Sequence, residues 1–205
     1  TGVNNGLINN VSSTSNVLSG DSTFSIGGLV GNNLGTIINS SSFGLVNSGT
    51  NTRSIGGLSG INSGVIKKSF ASGEVVAGSE TISLDKEYYG KGGFVGFNSG
   101  SITDSEAHGN VLIRGSGASL GGFVGSNSGS NAYISSSYAT GSVTGILNIK
   151  DVGGFIGTNS GSSVTKNFST GSITAGENSE WLGGFVGYNY GSITDNYSTG
   201  MVTAG

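Results

Sequence analysis

Neither cysteine nor proline occurs among the 205 residues. Without cysteine the chain can form neither a disulfide nor a thiolate metal site, and its composition says nothing about redox compartment. Charge is scarce as well, at 9% of residues with a formal net charge of −3. That excludes the clustered basic face a nucleic-acid partner requires. Histidine occurs once, at His108, so a His-Glu-x-x-His zinc centre is absent and no metal or other cofactor is expected. No apolar run is long enough to span a bilayer, no signal peptide is recognisable, and no membrane insertion is expected. The first residue is Thr1, which reads as a mature product or an excised piece.

Glycine, in contrast, supplies 41 residues. It follows no three-residue period, which excludes collagen. Single Val, Ile, Leu, Phe and Tyr residues recur at fixed offsets, which argues against disorder. The clearest recurrence is a Gly-Gly doublet opening an apolar pair, at Gly27-Gly28, Gly56-Gly57, Gly92-Gly93, Gly121-Gly122, Gly153-Gly154 and Gly183-Gly184. The spacings are 29, 36, 29, 32 and 30 residues. A near-fixed period of this size marks units that cannot bury an apolar face alone and stack on copies of themselves. No helical pattern is present. The expected fold is all-β: a parallel β-helix, or β-solenoid, right-handed by the crossover rule, filling residues 1–205 as one domain.

Each unit reads as three short strands, in the last coil Gly184–Val186, Ser192–Thr194 and a stretch from Tyr197 through Thr203. Asn-x-Gly between the first two is a turn signal, since both residues tolerate positive φ. The turn asparagines are read as Asn32, Asn62, Asn98, Asn127, Asn159 and Asn189, with Asn4 at the same offset. Stacked at the inter-strand spacing, they form an amide ladder with a structural role. The second strand supplies an inward column of Ile8, Ile37, Ile66, Ile102, Ile134, Val164 and Ile193. The third supplies Val17, Val46, Val75, Val111, Val143, Ile173 and Val202. Two columns of seven predict about seven coils, stacked over about 34 Å. Extra residues fall before the doublets, as insertions at 77–91 and 145–152. The Phe-Val pairs pose a conflict: adjacent strand residues face opposite ways, so one of each pair is expected to face outward and to need a cover.

The motif resembles the GLUG repeat, named for a Gly-Leu-x-Gly core. Gly28-Leu29-Val30-Gly31 and Gly57-Leu58-Ser59-Gly60 match it literally, and the four later coils carry Phe in place of Leu. The resemblance runs through essentially the whole chain. Such repeats occur in bacterial surface and secreted proteins, including haemagglutinin-like adhesins and the non-catalytic region of immunoglobulin A1-cleaving metallopeptidases. It implies a stalk or adhesive segment of an extracellular or cell-surface protein, and the expected role is a non-enzymatic module serving as adhesin, stalk or filament-forming segment.

Residues with chemistry are few. Asp104 and Asp195 hold equivalent positions three coils apart, roughly 14 Å, too far for a glycosidase pair. Glu106 beside Asp104 keeps open a polysaccharide-degrading β-helix as an alternative. Asp104 and Asp195 otherwise read as ladder partners of Lys68 and Lys166. One histidine among many serines gives no support to a Ser-His-Asp triad, so no catalytic residue is assigned. Ice binding is a further alternative, but its Ser and Thr ranks are broken by Val65, Lys67, Glu74 and Val76. The best binding candidates are aromatic. Phe70, Tyr138, Phe168 and Tyr197 share one offset, and whether they face out or in is open between the two readings; Tyr88 and Tyr89 lie in the longer insertion. Such a surface suits a glycan or a host surface protein. The chain holds close to a whole number of coils, which predicts either a segment of a longer solenoid or copies associating end to end.

Overall fold

The structure, a computed structural model, describes residues 1–80 and 89–205. Every element among them is a β-strand, and every pairing is parallel. Consecutive coils pair with one another, so the chain winds as a β-solenoid of about six turns. The two valine and isoleucine columns carry seven rungs each, in the predicted register from Ile8↔Ile37 to Val164↔Ile193 and from Val17↔Val46 to Ile173↔Val202. Seven rungs are separated by six steps, which at the parallel-strand spacing makes a stack of about 29 Å.

The expected three-strand pattern is present, with the third strand bent into two short segments such as Phe70–Ala71 and Val75–Ala77. In two coils the first and second strands run together, as Val124–Ser135 and Ile156–Thr165. A further strand precedes each doublet: Ser25–Gly27, Ser54–Gly56, Gly90–Gly92, Gly117–Gly121, Ile149–Gly153 and Glu180–Gly183. Parts of the expected insertions therefore belong to the regular stack, Ala77, Gly90 and Lys91 in one, Gly145 and Ile149–Val152 in the other. This strand is short, and variable spacing before it hides its register in the sequence.

The doublet motif has a steric cause. A Cβ on Gly57 would lie 2.2 Å from the carbonyl oxygen of Gly93 in the next coil. A Cβ on Gly96 would lie 2.5 Å from the amide nitrogen of Ile55 and 2.7 Å from the Gly60 oxygen. Those obstacles are backbone and cannot move aside, so the coil folds back on itself only where side chains are missing. Two apolar clusters fill the interior. Leu29, Leu58, Phe94, Phe123, Phe155 and the Ile37–Val164 column form one. Ile55, Leu120, Val152 and the Val46–Ile173 column form the other.

The Phe-Val conflict disappears in this geometry. Gly28-Leu29 is a bend and the strand begins at Val30. Alternation is broken there, and Leu29 and Val30, like Phe94 and Val95, both pack in the first cluster. Phe94, Phe123, Phe155 and Phe185 stack with ring centroids 4.8, 4.7 and 5.0 Å apart. No outer apolar column at these positions needs a cover.

The amide ladder forms, with one correction. Asn4 pairs with Asn33, not with Asn32. Nδ2 of each asparagine donates to Oδ1 of the next through Asn4, Asn33, Asn62, Asn98, Asn127, Asn159 and Asn189, at 2.7–2.8 Å. Asn32 stands one residue earlier, beside Val3 and Ile61 in neighbouring coils. A one-residue slip in a strand exchanges the two faces, and the Asn-Asn doublet at 32–33 conceals which residue opens the turn.

A second ladder carries no signal strong enough to be read from the sequence. Backbone N–H groups of Val11, Ser40, Ser69 and Ser105 donate to the hydroxyls of Ser40, Ser69, Ser105 and Ser137, at 3.1–3.3 Å. Ser137 and Asn167 continue it by donating to the side-chain oxygens of Asn167 and Asn196. The residue before each rung is a left-handed corner: Asn10, Asn39, Lys68, Asp104, Ser136, Lys166 and Asp195 all have φ between 49 and 58°. The predicted charge column is thus a column of corners. Asp104 meets Lys67, at 4.0 Å with both side chains nearly half exposed, an interaction worth at most about 1 kcal/mol.

Candidate functional site

Phe70, Tyr138, Phe168 and Tyr197 occupy one strand column, whose other members are Ser12, Ser41 and Glu106. Strand alternation puts the following residue on the opposite face. Ala71, Ala107, Ala139 and Ser169 are fully buried, so the small residues point in and the aromatics point out. The open question of the sequence is resolved: the rings lie on the outer surface, and Tyr197 is 58% exposed.

Glu106 interrupts this column, yet the strip of rings continues around it. Phe43 and His108 each stand two residues beyond the column position, on the same outer face. Ring centroids are 5.5 Å apart for Phe43–Phe70, 5.0 Å for Phe70–His108 and 5.5 Å for His108–Tyr138. Tyr138–Phe168 and Phe168–Tyr197 follow at 4.7 and 5.2 Å, nearly coplanar in orientation at 3° and 6°. Among the described residues the strip therefore has six rings, four of which share one sequence offset.

The last three rings stack face to face at about the coil rise. Phe168 has a ring against each face, and Tyr138 and Tyr197 each turn one face to Phe168, which leaves mainly ring edges at the surface. A sugar that stacks on aromatic faces is poorly served by that arrangement.

Polar groups interlock beside the rings. His108 Nε2 lies 3.3 Å from Glu106 Oε2, and Nδ1 lies 2.8 Å from Thr140 Oγ1. Glu106 also bonds the Tyr138 hydroxyl. Partial desolvation, that hydrogen bond and the nearby carboxylate charge push the Tyr138 phenol up to about 12. Thr140, His108 and Glu106 thus form a hydroxyl–imidazole–carboxylate chain, which the sequence did not reveal because its members come from two coils. The backbone N–H groups of His108 and Thr140 are committed to Ala71 and Ala107, so neither is free to stabilise an oxyanion.

Tyr89 lies away from the strip. Its ring is 5.4 Å from the Arg53 guanidinium, which is also 5.3 Å from the Phe24 ring. Tyr88 is outside the described residues. Asp104 and Asp195 remain in one corner column, three coils apart, and are not brought together. The Ser and Thr rank through Thr36, Val65, Ser101, Tyr133 and Ser163 is broken by Val65 and Tyr133.

No family model, curated protein or solved structure matches this chain.

Proposed function

We propose that the chain is a non-enzymatic scaffold: a rigid stalk or adhesive segment of an extracellular or cell-surface protein of the GLUG-repeat kind. One observation carries this reading. The Asn ladder runs unbroken from Asn4 to Asn189, with apolar columns continuous beside it. Inward polar side chains are thus used to join coil to coil. Repetition of this sort yields stiffness along an axis and leaves the outer face free to vary.

The outer strip supplies the adhesive half of the proposal. Edge-presented rings flanked by hydroxyls and Glu106 suit a flat protein surface better than a stacked glycan. A glycan array combined with polysaccharide-degradation and ester-hydrolysis assays tests the whole reading. No turnover is expected, together with adhesion to a protein-coated surface that weakens at least tenfold in Tyr138→Ala/Phe168→Ala. Turnover by the purified chain overturns the scaffold reading.

A catalytic reading has one specific observation behind it, the Thr140–His108–Glu106 chain. Nucleophile, base and orienting carboxylate are in hydrogen-bond sequence. Ester hydrolysis abolished by both Thr140→Val and His108→Ala would establish it. The flat sheet surface and the engaged backbone amides make it the weaker of the two.

A further inference from the structure

The strand before each glycine doublet carries one residue directed into the second apolar cluster. In five coils it is aliphatic: Ile26, Ile55, Leu120, Val152 and Leu182. In the remaining coil it is Lys91, fully buried in register between Ile55 and Leu120. Its amine contacts Oε1 of Glu80, itself only 8% exposed. The other carboxyl oxygen, Oε2, accepts a hydrogen bond from the Ala118 amide at 3.3 Å. The Tyr89 ring lies over the amine at 5.8 Å and helps to keep water away. Two opposite charges enclosed in this way lose most of their hydration, and the attraction between them commonly fails to compensate.

We propose that Lys91 and Glu80 are joined by a side-chain amide bond, formed inside the folded solenoid with loss of one water. Burial pulls the Lys91 amine down to about 7, so an un-ionised nucleophile is available near neutral pH. A proton passes from Nζ to the carboxyl oxygen it touches, giving a neutral amine and a neutral acid. The Nζ lone pair attacks Cδ of Glu80, and a C–N bond forms. The C–Oε1 bond breaks, and that oxygen leaves as water, carrying the acid proton and one further proton from Nζ. Oε2 remains as the amide carbonyl, with the Ala118 N–H polarising it during attack. No oxidant, metal or co-reactant is needed, and both charges are removed from the core.

The position of the pair gives the bond a consequence. Glu80 and Lys91 flank residues 81–90 of the longest insertion, so an amide between them closes that stretch into a covalent loop. In a chain without cysteine, it occupies the role a disulfide would fill.

Intact-mass spectrometry of the purified full chain decides the matter, on material with a β-sheet circular dichroism spectrum. The bulk of the protein is expected one water lighter than its sequence. Proteolysis should then release a branched peptide containing both Glu80 and Lys91. Lys91→Met and Glu80→Ala should each show the full mass of their own sequences, a readout that does not depend on how stably they fold. A wild-type chain at full sequence mass overturns the proposal and leaves a buried ion pair. A missing water that maps to any other residue overturns it equally.

Discussion

Asn98 donates to Asn127 and accepts from Asn62, both at 2.8 Å, and its amide also reaches the Gly100 carbonyl. Asn98→Ala leaves a donor on Asn62 and an acceptor on Asn127 buried without those partners. Each such group costs about 1–3 kcal/mol, so urea denaturation should show a loss of about 2–6 kcal/mol. The corner residues act in the opposite sense. Lys68 sits at φ 49°, where Asn10 and Asn39 stand in other coils. Left-handed backbone is unfavourable for most L-residues and easier for asparagine. Lys68→Asn is therefore expected to stabilise the protein by about 0.5 kcal/mol, measured in the same titration. Tyr138 supplies a pH dependence. Its folded pKa is raised from 10.0 to about 12, so the folded state holds a proton that the unfolded state releases. That contribution is complete below pH 10 and is lost as pH rises towards 12. Tyr138→Phe should lower stability at pH 9 and show a shallower decline than wild type across pH 10–12.

At the scale of the strand, the glycine columns set the strictest limits. Gly96→Ala places a methyl against fixed backbone of two neighbouring strands and should cost at least about 3 kcal/mol. A Cβ on Gly6 meets nothing within 4 Å, so Gly6→Ala should shift the melting temperature little. The same scale explains what was legible. The isoleucine and valine columns could be read because one residue type recurs at one offset, and alternation assigns their face. The strand before the doublet escaped because loops of unequal length precede it, although an apolar residue stands directly before five of the six doublets. The serine ladder escaped because its rungs change from Ser to Asn between Ser137 and Asn167. The face of Phe70, Tyr138, Phe168 and Tyr197 followed only once Ala71, Ala107 and Ala139 were seen to be buried. Phe43 and His108 joined the strip by proximity across coils, which no single-coil offset encodes.

For the whole molecule, stacking makes each coil depend on its neighbours. The axial ladders are the claim on which fold and proposed role both rest, since a scaffold of this kind is only as continuous as its rungs. Hydrogen exchange at the side-chain amides of Asn62, Asn98 and Asn127, followed by NMR, tests them directly. The structure predicts that these Nδ2 protons exchange as slowly as the backbone amides of Ile66 and Ile102, because each is buried and bonded to the next asparagine. Exchange at the rate of a free asparagine side chain, in a chain whose backbone amides are protected, would contradict the ladder and the continuous scaffold built on it.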